Sequence, residues 1–386
     1  MAGFGFTEEQ EMFRETVQRF ARRELAPGAK ERAKKTDRPL ELIKKVADQG
    51  LVGLAVPQKF GGGEADWVTV GIAVEEMSKA DFGFGMLPVL PGLFSILLTR
   101  YCSEEMQQRY LPAMARGECY GCFAITEADC GSDVAAIRTK AVRDGDHYII
   151  NGEKTGVSGG MDAHIAMAPI KTDPQAGAKG ISMFVLPLDL PGINRSRIPD
   201  MGFNQIGRGT LFLDNVRLPV EYRIGEEGRG FYLIMGQFEV LRVFLSIAAL
   251  GLAQASLTEA IEYAKIRKAF DRPIVQFEGV SFKIAEHATW IEAARLLCYR
   301  TLWLADQGLE HNKESAMCKW FCPVVAVNAI HASLLIHGHL GYSEEHPVEQ
   351  RLRDAIGFEM ADGTADIMKI IISRELVGRE FLPSDR

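Results

Sequence analysis

The period of the apolar residues changes twice along this chain, and that change limits the available folds more than any single motif. Up to about residue 120, apolar side chains recur at three- and four-residue steps. From 121 to 232, short runs rich in β-branched residues alternate with turn dipeptides, and from 233 onward the helical step returns and persists. The chain therefore divides into a helical region (1–120), a β region (121–232) and a second helical region (233–386). Its 386 residues leave room for two or three domains with substantial cores.

In the first region "TEEQEMFRETVQRFARREL" opens with a capping box of Thr7 and Gln10. It carries Phe13, Val17 and Phe20 on one face until Pro27 ends it. Further helices are expected in "LELIKKVADQGLVGL", "VTVGIAVEEMSKAD" and "SEEMQQRYLPAMARG". In the β region Asp144-Gly145 separates "TKAVR" from "HYIIN", Asn151-Gly152 reads as a second turn, and "GISMFVLPLD" and "GTLFLDNVRLP" read as strands. Loops with Gly131, Gly159, Gly160 and Gly207 suit a backbone that approaches a ligand closely. The last region has long helical patterns over 240–270, 280–306 and 316–338, with Gly251 inside the first, and a fourth helix after Asp362. Four helices with short links imply a bundle that buries further apolar faces against copies of itself.

Composition excludes several classes. Apolar content of 47% and charged content of 25% describe a globular protein. A net charge of -7 without a dense Lys/Arg block argues against a nucleic-acid surface. The seven cysteines include one C-x-x-C at 119–122, which leads into a strand and has no second pair for zinc. Their odd, scattered count points to a reducing compartment. The N-terminal stretch has neither a basic nor an apolar signal region, and no run approaches eighteen apolar residues, so a cytoplasmic protein without a membrane partner is expected. His337 and His339 lack a third ligand at plausible spacing, so no metal is expected.

One carboxylate stands out in "EMADGTADIMKIIISREL", residues 359–376, where Asp362 precedes a Gly-Thr pair and a helical pattern through Ile367, Ile370 and Ile371. Read locally, Thr364 caps the first turn, Gly363 supplies unusual backbone angles, and an acid here is favoured by the helix dipole. Read chemically, Asp362 is a base held at the helix mouth. The local residues are compatible with both.

Four further motifs carry a resemblance: "CFAITEADCGSD" (122–133), "INGEKTGVSGG" (150–160), "RKAFDRPIVQFEGVSFKIAEHA" (267–288) and "LLIHGHLGYSEEHPVEQRLRDA" (334–355). Together with "ADGT" they resemble the acyl-CoA dehydrogenase family over essentially the whole length. The resemblance implies an α+β fold with an N-terminal all-α domain, a middle β-barrel domain and a C-terminal four-helix bundle. It implies bound FAD and α,β-dehydrogenation of an acyl-CoA thioester, with Asp362 as base and hydride passing to flavin N5. Cofactor contacts fall on Phe123, Ile125, Thr126, Gly131, Ser132, Gly156 and Ser158, then Arg267, Phe270, Phe277 and Glu278, and finally Gly338, His339, Thr364 and Asp366. Ser132, Glu239, Arg242 and Gly363 are implied on the substrate side. A homotetramer, in which Arg267 reaches a neighbour's FAD, and an electron-transfer flavoprotein as acceptor are also implied.

The departures are specific. Gly156 stands where an aromatic is usual, Cys130 where another small residue is, Glu278 where Gln is, Leu335 and His339 where Gln and Gly are, and Asp362 where Glu is. Some relatives carry the base just before the Arg on the first long helix, but here Leu241 precedes Arg242, so no acid competes. Asp stops roughly 1.5 Å short of Glu. That shortening, with an end "ISRELVGREFLP" similar to cyclohexanecarboxyl-CoA dehydrogenases, points to a cyclic or branched short acyl group. Straight-chain substrates, a changed reaction (1,4-dehydrogenation, desulfination or oxidase) and a non-catalytic scaffold are the alternatives.

Overall fold

The structure is a computed structural model and describes residues 5–381. Leu382 and Pro383, the end of the "ISRELVGREFLP" stretch, lie outside the described residues. In chain order the helices of nine or more residues are α1 (Glu8–Phe20), α2 (Leu40–Asp48), α3 (Trp67–Ala80), α4 (Val89–Tyr101) and α5 (Glu104–Ala115). They continue as α6 (Gly230–Ile266), α7 (Glu278–Asp306), α8 (Asn312–His337), α9 (Pro347–Met360) and α10 (Ala365–Val377). The chain packs as two compact units, one of Lys34–Ala65 and Leu87–Phe238, the other of the segments up to Ala33, Asp66–Met86 and from Glu239 onward.

The helical unit is built around α8, which packs against α7, α9 and α10. α1 begins with the expected capping box, Thr7 Oγ1 accepting from the Gln10 N–H while the Gln10 side chain accepts from that of Thr7. Gly251 lets α6 approach α3, since a Cβ there would stand 2.9 Å from that of Ser78 and 3.0 Å from the Glu75 carbonyl oxygen. Between α7 and α8 the buried thiols of Cys298, Cys318 and Cys322 lie within 4.8 Å of one another, with Sγ of Cys298 and Cys322 3.5 Å apart and no disulfide. α9 adds a fifth helix to the four expected. It starts at Pro347, whose missing N–H costs nothing there, and buries Val348, Ala355 and Phe358, but the charges of "VEQRLRD" mask that narrow stripe in the sequence.

The second unit is dominated by a mixed sheet. Its strands are β1 (Gly121–Phe123), β2 (Lys140–Asp144), β3 (His147–Val157), β4 (Ile165–Lys171), β5 (Ile181–Pro187), β6 (Ile193–Arg197), β7 (Gly209–Pro219) and β8 (Arg223–Ile224). They pair in the order β6-β7-β3-β2-β4-β5-β8, with β1 parallel to β4. This eight-stranded sheet stands where the barrel is expected, and β6 and β8 end its path. β4 and β5 are buried along their whole length, as their apolar runs require. The turn at Asp144-Gly145 forms as expected, with Asp144 opposite His147. Asn151-Gly152 does not form a turn: both lie inside β3, which bulges there against β7. A Cβ on Gly152 would sit 2.7 Å from the Thr139 Cα, so close backbone approach, not reversal, explains the glycine.

Among the described residues three helical stretches are long and apolar enough to cross a bilayer, contrary to the sequence expectation: Phe82–Tyr101, Gly230–Ile266 and Asn312–His337. Their most apolar windows are 72%, 89% and 56% buried within the protein, so most of that surface is already covered.

Candidate active site

Asp362 lies between α9 and α10 with a backbone φ of +52°, and Gly363 follows at +111°. Asp is one of the few side chains that tolerate the left-handed region, and the positive φ calls for glycine at 363, where a Cβ would also displace the terminal methyl of Met368, 2.6 Å away. The turn is stabilised from both ends. Thr364 Oγ1 accepts from the Ile367 N–H at 3.4 Å and starts α10, as its sequence position implies. Arg242, buried on α6, donates from Nε to the Asp362 carbonyl at 3.1 Å.

Peptide geometry turns that contact into an aiming device. In a trans peptide the C=O and the following N–H point in opposite directions. A carbonyl of Asp362 directed at Arg242 therefore sends the Gly363 N–H the other way. Among the described residues the N–H groups of Asp362, Gly363 and Thr364 donate to no protein acceptor, and the Asp362 carboxylate accepts no hydrogen bond. The turn thus offers an unengaged carboxylate beside unengaged donors. Burial pushes the Asp362 carboxyl above its usual range against the opposing pull of Lys319 and Arg242. A raised carboxylate is a better proton acceptor than a solvated one.

Lys319 was not visible from the sequence. It is fully buried on α8, and its Nζ donates to the carbonyls of Phe358 at 2.7 Å and Gly363 at 3.1 Å. Burial, partly countered by Asp362 and reinforced by Arg242, pushes its ammonium down to about 8. The only trace in the sequence is a lysine on the apolar face of "AMCKWFCPVV". Glu239 is half-buried one turn before Arg242, with His311 Nε2 3.9 Å away, and burial raises its carboxyl.

In the sheet unit, Phe123 ends β1 and Ile125, Thr126, Gly131 and Ser132 follow in the adjoining loop. The Thr155 N–H donates to the Thr126 carbonyl at 2.8 Å, tying this loop to the end of β3 that carries Gly156 and Ser158. The hydroxyl-bearing residues Thr126, Ser132 and Ser158 are all exposed. Gly156 has φ +64° and nothing within 4 Å of a Cβ position, an open glycine inside β3 at its second register shift against β7. Beneath the loop, buried Lys154 donates to the Ile125 carbonyl at 3.1 Å and to Glu127 at 2.7 Å. Burial alone would raise the Glu127 carboxyl, but Lys154 and the Arg138 and Thr139 donors leave it below its usual range. This pair also escaped sequence reasoning, although Lys154 sits at an inward register of β3.

The Arg267–Glu278 stretch forms a hairpin whose tip, Phe270 and Asp271, has φ of +50° and +63°. Phe270 is 89% exposed despite that strained backbone. Phe270, Phe277 and Leu335 line one recess of about 270 Å³, bringing the third and fourth motifs together. Arg267 and Glu278 are exposed and form no ion pair among the described residues. Gly338 and His339 are exposed at the end of α8, whereas His337 is buried, bonded to the Ser333 carbonyl and stacked on Tyr263 and His346, a structural role. Asp366 is exposed in the first turn of α10, 3.3 Å from Lys369.

Each unit taken by itself fits part of a flavin dinucleotide. In the sheet unit, exposed hydroxyls and an open glycine suit the ring, and in the helical unit the exposed Arg267, on the hairpin that carries Phe270, suits a diphosphate. Three family models match in succession: acyl-CoA dehydrogenase N-terminal domain over residues 7–118, middle domain over 122–216 and C-terminal domain over 228–377. An acyl-CoA dehydrogenase of Bacillus subtilis (strain 168) is 37% identical over 374 residues, 96% of this chain and 99% of that protein. The structure of butyryl-CoA dehydrogenase from Megasphaera elsdenii matches with a TM-score of 0.93 at 31% identity, over 97% of this chain and 99% of that one. A chain in a structure described as the electron transferring flavoprotein of Acidaminococcus fermentans matches with a TM-score of 0.93 at 34% identity, over 97% and 99%.

Proposed function

The chain belongs to the acyl-CoA dehydrogenase family, and from that premise we propose that it desaturates a short cyclic or branched acyl-CoA, with cyclohexanecarboxyl-CoA as the leading substrate. It is an FAD-dependent oxidoreductase acting on acyl-CoA. The observation that carries the reading is the Asp362 turn, an unengaged carboxylate next to unengaged N–H groups and backed by a buried arginine.

Bound FAD supplies the hydride acceptor for the β-hydrogen. The protein's own part is to take a proton and steady a charge. Asp362 removes the α-proton, and donors of its turn polarise the thioester oxygen as negative charge builds there. Arg242 keeps those donors aimed. Thr126, Ser132 and Ser158 would hold the flavin ring, Arg267 its diphosphate, and Phe270, Phe277, Glu278, Gly338 and His339 the adenosine side. Glu239 would lie along the CoA portion.

The shorter Asp side chain supports the choice of acyl group. Its carboxylate falls roughly 1.5 Å behind that of a Glu, and a displacement of about 1 Å costs a proton transfer on the order of 100-fold. A tertiary α-carbon seated deeper restores the distance. Electron-transfer flavoprotein is the proposed acceptor, and a cytoplasmic homotetramer the proposed form. The exposed Phe270, Phe282 and Trp290 support burial against further copies.

An anaerobic titration with cyclohexanecarboxyl-CoA, isobutyryl-CoA and butyryl-CoA, read as flavin bleaching, tests the proposal. Bleaching lost in Asp362→Ala supports the assigned base. Faster bleaching by butyryl-CoA overturns the acyl-group assignment, and no bleaching by any thioester overturns the dehydrogenase reading of this chain.

A further inference from the structure

We propose that Lys319 is a positioning residue for Asp362: from α8 its side chain grips the Phe358 and Gly363 carbonyls and holds the turn that presents the base. The inference rests on the reading of Asp362 as the base.

The grip is costly for the protein, which makes it informative. A fully buried ammonium loses its hydration, and among the described residues no carboxylate lies within 4.0 Å of Nζ to offset that loss. Its contacts are two backbone carbonyls, at the last turn of α9 and immediately after Asp362. Any apolar side chain would fill the volume between α8 and this turn. Only a long donor fastens both carbonyls at once.

The site of the grip explains its effect. Asp362 and Gly363 occupy successive left-handed conformations, which persist only where their surroundings over-determine them. Arg242 takes the carbonyl of Asp362 and Lys319 that of Gly363. By the trans-peptide rule these contacts aim the N–H groups of Gly363 and Thr364 away from the two cations. Two buried cations on different helices thus set the orientation of consecutive peptides flanking the base.

The charge acts as well as the contact. The groups facing Asp362 are Lys319 from α8 and Arg242 from α6, and those facing Lys319 are Asp362, Arg242, Glu359 of α9 and Cys322 of its own helix. Lys319 opposes the burial that favours a protonated Asp362. Removing its charge leaves the carboxyl protonated to higher pH.

The test compares wild-type holoprotein with Lys319→Met, Lys319→Gln and Lys319→Arg, each first checked for FAD content and folded circular dichroism. Lys319→Gln keeps an N–H donor without the charge and guards against a variant that fails to fold. Anaerobic bleaching by butyryl-CoA and cyclohexanecarboxyl-CoA is followed between pH 5 and 9. The expected result is an acid limb moved up by half a pH unit or more in Lys319→Met and Lys319→Gln, with return toward the wild-type limb in Lys319→Arg. The limiting rate falls at least tenfold in Lys319→Met, while thioester affinity stays within threefold. Folded, FAD-loaded Met and Gln variants with the wild-type limb overturn the inference.

A second readout needs no turnover. Urea midpoints of wild type, Asp362→Asn, Lys319→Gln and the double variant are expected to be non-additive at pH 7, where Lys319 is charged, and additive at acid pH where Asp362 is protonated. Additivity at both pH values overturns the coupling. If no thioester bleaches wild type, the functional reading fails while this cycle still decides whether Lys319 supports Asp362.

Discussion

Asp362, the proposed base, and its neighbour Gly363 show how little freedom one residue has here. Asp362→Asn keeps the size and the left-handed tolerance of the residue but removes its basicity. Flavin reduction is expected to fall by three orders of magnitude or more with FAD still bound, measured by stopped-flow bleaching. Gly363→Ala fails for a different reason, since its φ of +111° strains any residue with a Cβ and Met368 must also move its terminal methyl. The expected cost is about 1–3 kcal/mol in urea unfolding, with reduced bleaching because the base is displaced. Asp362 and Gly363 were legible in the sequence because a carboxylate before Gly-Thr and a helical pattern is a local arrangement. Lys319 was not, because its partners, Phe358 and Gly363, are 39 and 44 residues away and are backbone atoms. No side-chain pattern advertises a carbonyl.

Elements succeed or fail on how their faces are covered. β3 buries Lys154 on the face that supports the Ile125–Ser132 loop, and the pair with Glu127 is the main polar feature there. Lys154→Met removes the counter-charge and leaves the Glu127 carboxylate with only the Arg138 and Thr139 backbone donors, a loss on the order of 3 kcal/mol. FAD affinity is expected to drop along with stability, measured by flavin release during thermal unfolding. Unchanged FAD affinity in a folded variant would show that the pair is structural only. The sequence placed β2, β3 and β7 correctly because their β-branched runs and the Asp144-Gly145 turn agree, and β5 because it is a continuous apolar run. It misread Asn151-Gly152 because a bulge and a turn use the same residues, and only the pairing with β7 distinguishes them. It missed α9 because the apolar stripe there is narrow and crossed by charges.

At the scale of the whole molecule, the helical unit is tied together by one buried carboxylate. Glu75 of α3 accepts from Arg295 Nε and the Tyr299 hydroxyl of α7, both at 2.6 Å, and from Gln254 of α6 at 2.7 Å, with Lys79 3.5 Å away. Burial by itself would raise its carboxyl, but Lys79, Arg295 and Tyr299 together bring it down to about 2. Because the folded value lies below the unfolded one, this stability is present above about pH 4.5 and is lost as pH falls toward 2. Glu75→Gln is expected to cost on the order of 3 kcal/mol at neutral pH, and the gap from wild type is expected to close on acidification. Urea titrations at pH 7 and pH 3 measure both. Light scattering of the holoprotein tests the proposed tetramer, whose loss in Phe270→Asp is the expected result given that exposed hairpin tip. By itself the sequence determined the order of helical, β and helical regions and the family, and it singled out Asp362 as the candidate base. These follow from period and from motifs whose residues lie close together in the chain. Only the tertiary structure decided what stands behind Asp362 and beneath the Ile125–Ser132 loop. Lys319, Arg242 and the Lys154–Glu127 pair act through contacts between distant segments, where burial makes each charge strong, and burial is a property of packing that no stretch of sequence carries alone.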